Sequence, residues 1–133
     1  MAMAGNTYTI QLRPSHLGWG DHRYTNTRNI IYGEGYISLP IPTARSFNIY
    51  NSNNPTTGWG YNLFHASSVD GFLNNMPLLA QGSETAGDIY AKQFSVQGNL
   101  RMIGTWYASQ NATPNNSVRV TWTSPTDIFL EII

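Results

Sequence analysis

Residues 13–29, RPSHLGWGDHRYTNTRN, gather three of the chain's seven cationic side chains (Arg13, Arg23 and Arg28) and two of its three histidines (His16 and His22). Trp19 stands between two glycines in the same stretch, beside Asp21 and Tyr24. An arginine fork donates two parallel hydrogen bonds to a guanine edge or to phosphate oxygens. Asn26 matches the donor–acceptor edge of adenine, and Ser15, Thr25 and Thr27 offer hydroxyls to anionic oxygens. No apolar residues run through the segment at helix or strand spacing, so it cannot pack a core. Its chemistry is recognition.

Other chemistries are poorly served. His16, Asp21 and His22 lie close in sequence with His65 as a distant third, but a zinc site needs an ordered tetrahedral set, so a solvated loop without metal is expected. Glu84, Asp88 and Lys92 are the nearest approach to a nuclease centre. On a strand, Asp88 and Lys92 share a face but sit about 13 Å apart at Cα. Asp88 reads instead as a strand-entry residue after Gly87. The chain has no phosphate-binding glycine loop, no dinucleotide fingerprint and no paired-histidine zinc motif. The expectation is a chain with no cofactor and no catalytic activity of its own.

At 133 residues the chain is long enough for one domain with a real core. It has no cysteine, which excludes disulfides and thiolate metal sites. No apolar run reaches a membrane span, and the start MAMAGNTYT lacks an export-signal core, so a cytoplasmic protein is expected. The formal net charge is zero, unusual for a nucleic-acid binder. The charges are uneven, however. Residues 1–66 hold Arg13, Arg23, Arg28 and Arg45 against Asp21 and Glu34, a balance of +2. Residues 67–133 hold Lys92, Arg101 and Arg119 against Asp70, Glu84, Asp88, Asp127 and Glu131, a balance of −2. The first half is the one suited to an anion. Abundant Asn, Thr, Tyr and Trp add hydrogen bonding and stacking without charge; a β-rich domain with many Asn/Gly turns explains much of that abundance as well.

These side chains need elements to hold them. Tyr8, Ile10 and Leu12 alternate with Thr7, Thr9 and Gln11, a half-buried strand. In IIYGEGYISLPI (30–41) a strand, a turn at 33–35 and a second strand with Ile37, Leu39 and Ile41 on one face follow, and Pro40 makes that strand an edge or ends it. PTARSFNI predicts a short helix near 42–48, Pro42 near its start and Ala44, Phe47 and Ile49 inward. Residues 51–62 read as loop, 63–69 as a weak strand and 70–77 as irregular. DIYAKQFSV (88–96) reads as a strand with Ile89, Ala91 and Gln93 opposite Tyr90, Lys92 and Phe94. Asn99 caps a predicted helix over 99–109 with Leu100, Ile103 and Tyr107 on one stripe. The closing segment is a hairpin: Val118, Val120 and Trp122 share one face, 124–127 turn, and Ile128, Leu130 and Ile132 share another. Many short strands with two small helices predict a mainly β chain, a closed or nearly closed barrel. Gly-Trp-Gly occurs twice, at 18–20 and 58–60, with unmatched flanks.

The run GYISLPIPTARSFNI (35–49), a strand ending in proline and passing into a short helix, resembles the corresponding element of the DNA-binding pseudobarrel family. That family comprises plant transcription-factor domains of the B-three type and effector domains of some type II restriction endonucleases. The passage 88–109 and the closing SVRVTWTSPTDIFLEI also fit its order of elements, so the likeness covers about two thirds of the chain, as pattern rather than exact motif. It implies a single DNA-binding pseudobarrel domain over 1–133, open, with about seven strands and two short helices. Its members grip double-stranded DNA with two arms in the major groove. The resemblance sets the first arm on 13–29, with Arg13, Ser15, His16, Trp19, Asp21, His22, Arg23, Tyr24, Thr25, Asn26 and Arg28 as candidates. It sets the second around 85–97, with Tyr90, Lys92 and Gln93. A nuclease domain or subunit is the implied partner. Neutral charge departs from the pattern and favours base readout over phosphate grip.

A carbohydrate-binding β domain is the alternative, because Trp19, Trp59, Tyr24 and Tyr61 among Asn, Asp and Gly suit sugar stacking. A structural β domain without a small ligand is a third.

Alanine at Arg13, Arg23 or Arg28 should spare folding. A base-reading arginine should cost about 1–3 kcal/mol of DNA affinity and relax one base position, whereas a phosphate clamp should weaken all duplexes alike. If all three variants bind a selected duplex as the parent does, the first arm is misassigned.

Overall fold

A computed structural model describes residues 2–13, 16, 35–51, 57–82 and 89–133. Seven strands and two helices follow in the order β1 (Thr7–Gln11), β2 (Ile37–Ser38), α1 (Ile41–Phe47), β3 (Leu63–Ser68), β4 (Met76–Gln81), β5 (Gln93–Val96), α2 (Met102–Ser109), β6 (Ser117–Ser124) and β7 (Asp127–Ile132). The strands form one mixed sheet in the order β1-β6-β7-β3-β4-β5-β2. Every pairing is antiparallel except β3 with β7. The sheet's two edges, β1 and β2, approach each other: the Tyr8 hydroxyl donates to the Ser38 carbonyl at 2.9 Å. One side-chain bond therefore spans the gap, and the sheet is a nearly closed barrel. Burial pushes the Tyr8 phenol well above its usual range, with Tyr107 adding to the shift, so the group stays a neutral donor.

Strict alternation fills the interior. Ile37, Phe64, Ala66, Leu78, Ala80, Phe94, Val118, Val120, Trp122 and Leu130 are buried on the inner face. Trp122 is at the centre. Its ring meets Phe47 and Phe64 edge-on with centroids at 5.3 and 5.9 Å, and lies near Tyr8 and Phe94. The indole N–H of Trp122 has no hydrogen-bond partner among the described residues.

The first strand, both closing strands and their turn match the sequence pattern in position and face. Other elements are corrected. The predicted strand before α1 contracts to Ile37–Ser38, because Pro40 offers no N–H and its extended backbone starts the helix. Residues 30–34 lie outside the described residues. The helix begins one residue early, at Ile41, with Pro42 in its first turn and Ala44 and Ile49 buried as expected.

A whole strand, β4, was not legible. MPLLAQ places two leucines side by side, and only the register against β3 and β5 turns Leu78 and Ala80 inward. The segment 88–96 is also more irregular than its alternation suggests. Residue 88 lies outside the described residues, β5 starts only at Gln93, and Ala91, Phe94, Ser95 and Val96 are buried. The inward period slips between Ala91 and Phe94, and Ile89 is left 49% exposed. The second helix starts at Met102, while Asn99 still holds the preceding turn by accepting the Arg101 N–H at 3.2 Å.

Trp106 and Tyr107 of α2 are buried. The Trp106 indole donates to Asp70 Oδ2 at 2.9 Å, while Asp70 Oδ1 accepts the Ser68 hydroxyl and the Phe72 N–H. Burial pushes the Asp70 carboxyl up, but these bonds outweigh it and hold the group below its ordinary value.

Replacing Trp122 with alanine removes the ring that four other aromatic side chains pack against. The expected loss is about 3–5 kcal/mol in urea unfolding. A loss below 1 kcal/mol would mean that the barrel does not depend on this ring.

Candidate nucleic-acid interface

Two segments, 17–34 and 83–88, lie outside the described residues, and the described residues flanking each are joined to one another. The first departs after β1. Leu12 is buried, Arg13 is exposed, and the backbone turns so that the His16 N–H donates to the Arg13 carbonyl at 2.9 Å. The imidazole is turned back on the same turn, its Nδ1 accepting the Arg13 N–H at 3.2 Å. The chain returns at Gly35 and Tyr36, and the Tyr36 N–H donates to the His16 carbonyl at 3.2 Å. The two feet of the first excursion are thus joined directly.

Helix α2 holds this junction. The Tyr107 hydroxyl donates to the Tyr36 carbonyl at 2.9 Å. Gly35 packs so closely on Gly104 that a Cβ at Gly35 would stand 2.6 Å from the Gly104 backbone. Two glycines in contact let the returning chain touch the helix. The His16 ring also meets Tyr36 edge-on with centroids 5.0 Å apart. With only 6% of its surface exposed, His16 is part of the anchor. Burial, followed by the nearby Arg13 guanidinium, lowers its pKa to about 4.

The second excursion runs between Gly82 and Ile89 and is rooted through one buried residue. Asn51 Oδ1 accepts the Gly82 N–H at 3.2 Å, and the Asn51 N–H donates to the Ile89 carbonyl at 2.8 Å. A single asparagine joins both feet. Beyond Ile89, Lys92 donates to the Gln81 carbonyl and accepts from the Leu39 N–H, which leads the chain into β5.

The roots lie at opposite ends of the short β2·β5 pair. Tyr36 precedes Ile37, whose partner is Phe94; Ser38 pairs with Gln93, and Gln93 with Gln81, the residue before Gly82. From Tyr36 to Leu39, next to Lys92, is about 10 Å of strand. Beside this pair the half-buried Ser38, Gln81 and Gln93 are all uncharged donors and acceptors, with Ser95 buried next to them. The Ser95 hydroxyl donates to Gln81 Oε1 at 2.9 Å.

Of the residues singled out by sequence, Arg13, His16, Tyr90, Lys92 and Gln93 are described; Ser15, Trp19, Asp21, His22, Arg23, Tyr24, Thr25, Thr27, Asn26 and Arg28 lie outside the described residues, as do Glu84 and Asp88. Lys92 and Arg13 are exposed, and Gln93 and Tyr90 half-buried. Among the described residues no three His, Asp or Glu side chains converge on a metal position. No described helix is long and apolar enough to cross a membrane. The anchoring roles of Asn51, Gly35 and Tyr107 were not legible in the sequence, because their partners Gly82, Gly104 and Tyr36 lie 30 or more residues away. No protein-family model matches the chain, and no curated protein matches it in sequence.

The neutral form of His16 is the one the fold stabilises. Its folded pKa lies below the ordinary 6.5, so the unfolded chain takes up the proton first as pH falls. Stability should therefore drop between about pH 6.5 and pH 4, by roughly 1–3 kcal/mol from this ring, and flatten below. Urea unfolding of the parent and His16→Gln at pH 7, 5 and 4 checks this. An equal pH dependence in both would rule out the ring as its source.

Proposed function

We propose that this chain is a sequence-reading domain for double-stranded DNA, which receives the duplex between its two excursions. The observation that carries the reading is the pair of roots: the feet of each excursion are tied together, one beside the start of β2 and the other beside the end of β4. The fold supports it as well, since an open seven-stranded barrel with two helices is what the pseudobarrel resemblance implies.

In this reading the first excursion carries the base-reading set, Arg23, Asn26 and Arg28, with Ser15, Thr25 and Thr27 on phosphates. Arg13 flanks it from the exposed side of the root. His16 and Tyr36 act as positioning residues rather than contacts. Gln93, with Ser38 and Gln81 beside it, faces the duplex from the barrel wall, and Lys92 and Tyr90 lie at the second root. An uncharged wall suits a neutral protein: little affinity comes from phosphates, and discrimination comes from hydrogen bonds to base edges. With no catalytic cluster assigned, cleavage would fall to a fused or partner nuclease, as for the effector domain of a restriction endonuclease.

One observation favours the carbohydrate alternative. Trp59 stands 43% exposed in the Gly58–Gly60 turn, stacked on His65 with ring centroids 3.9 Å apart. Salt separates the two readings. A protein that neutralises several phosphates loses affinity linearly on a log–log salt plot, about 0.9 per contact. Arg13, Arg23, Arg28 and Lys92, with Arg45 nearby, predict a shallow slope of about −3 to −5, whereas sugar stacking is nearly indifferent to salt. Titration of a library-selected duplex across low to moderate salt, beside an oligosaccharide array, is the test. Failure to bind any duplex at low salt, with a salt-insensitive glycan hit, would overturn the DNA reading.

A further inference from the structure

Four side chains from separate parts of the chain form a ladder beside the second root. The Arg45 guanidinium lies 5.9 Å from the centroid of the Tyr90 ring. Tyr90 stacks on Tyr50 at 5.7 Å with 18° between planes, and Tyr50 meets Tyr61 at 6.4 Å and 34°. The backbone enforces the arrangement. Tyr50 and Tyr90 are directly opposite in an isolated antiparallel bridge whose bonds run on either side of them, Ala91 N–H to Ile49 and Asn51 N–H to Ile89. Such a pair brings its side chains closest together. The Tyr50 N–H donates to the Tyr61 carbonyl at 3.0 Å, which sets the third ring beside the second.

The ladder lies at the rim of the core. Tyr90 packs one side against it, while its neighbour Lys92 is exposed. All three tyrosines are half-buried, and Arg45 and Lys92 are exposed. Neither the Tyr50 nor the Tyr61 hydroxyl bonds to a described residue. Phenol donors and fixed cations together are the chemistry that holds phosphate oxygens.

We propose that the Arg45–Tyr90–Tyr50–Tyr61 ladder, with Lys92, is a ledge for the sugar–phosphate backbone of the same duplex, outside the bases that are read. The proposal rests on the DNA reading above. The ledge contributes affinity without sequence preference. Its charge is complementary to a polyanion, and it adjoins the second root, so a duplex seated between the roots continues across it.

The test uses the full chain and a labelled duplex selected from a random library. Arg45→Gln with Lys92→Gln removes both charges, and Tyr50→Phe with Tyr61→Phe removes two hydroxyls while keeping the stacked rings. Thermal melts within a few degrees of the parent confirm folding. The charge pair should make the log–log salt slope shallower by roughly 2, about 0.9 per lost phosphate contact, and leave the preferred sequence unchanged. The phenylalanine pair should weaken every duplex by a similar factor of about 3 to 10, the order of one or two lost hydrogen bonds. If the parent binds the duplex but the slope and affinities stay put, the ledge is wrong and the DNA reading stands. A change in base preference would also overturn it, since the ladder would then read sequence. If the parent binds no duplex, both fall, and loss of glycan or single-strand binding in the variants would give the ladder to that ligand instead.

Discussion

The barrel depends on a single ring. Trp122 of β6 meets Tyr8 from edge strand β1, Phe64 from β3, Phe94 from β5 and Phe47 from α1. A seven-stranded sheet left flat would expose two edges and half of its apolar face. Curling it around one large side chain buries the inner face and brings β1 within reach of β2. The Tyr8–Ser38 hydrogen bond then bridges the remaining gap. The barrel is closed by contact with its own core rather than by a continuous ladder.

That incomplete closure has consequences for the chain's excursions. Because β2 is only two residues long, the chain entering and leaving it must be held by other means. At one end, α2 does this through Tyr107 and the Gly35–Gly104 contact; at the other, the Leu39 N–H donates to the Lys92 carbonyl, and Asn51 joins Gly82 to Ile89 nearby. Both anchors are buried and uncharged, so they fix positions through satisfied hydrogen bonds without burying a charge. The cations Arg13, Arg45 and Lys92 remain exposed around them.

Much of this was legible in the residues themselves. The alternation of Tyr8, Ile10 and Leu12, and of Val118, Val120 and Trp122 against Ile128, Leu130 and Ile132, defined strands and faces because each strand has one wet and one dry side. Pro40 and Pro42 marked where strand gives way to helix. Where the local signal was mixed, the reading failed. Leu78 and Leu79 are adjacent, so no period is visible in β4, and the slip between Ala91 and Phe94 hides the true inner face of β5. Asn99 drew the start of α2 too early because an asparagine also organises the turn ahead of a helix.

By itself the sequence determined a mainly β chain, the neighbourhood of its two helices, the inward face of Trp122 and the polar composition of the 13–29 segment. Each of these follows from spacing within a few residues, where side-chain period and proline or glycine chemistry act directly. Tertiary structure alone decided which strands neighbour each other, that β3 and β7 run parallel, and that His16 belongs to an anchor. It alone brought Arg45, Tyr50, Tyr61 and Tyr90 into one stack. Those residues are up to 45 positions apart, and nothing in the local chemistry of a tyrosine records which distant ring it will face. That choice is made by backbone pairing across the closed sheet, after the core has formed.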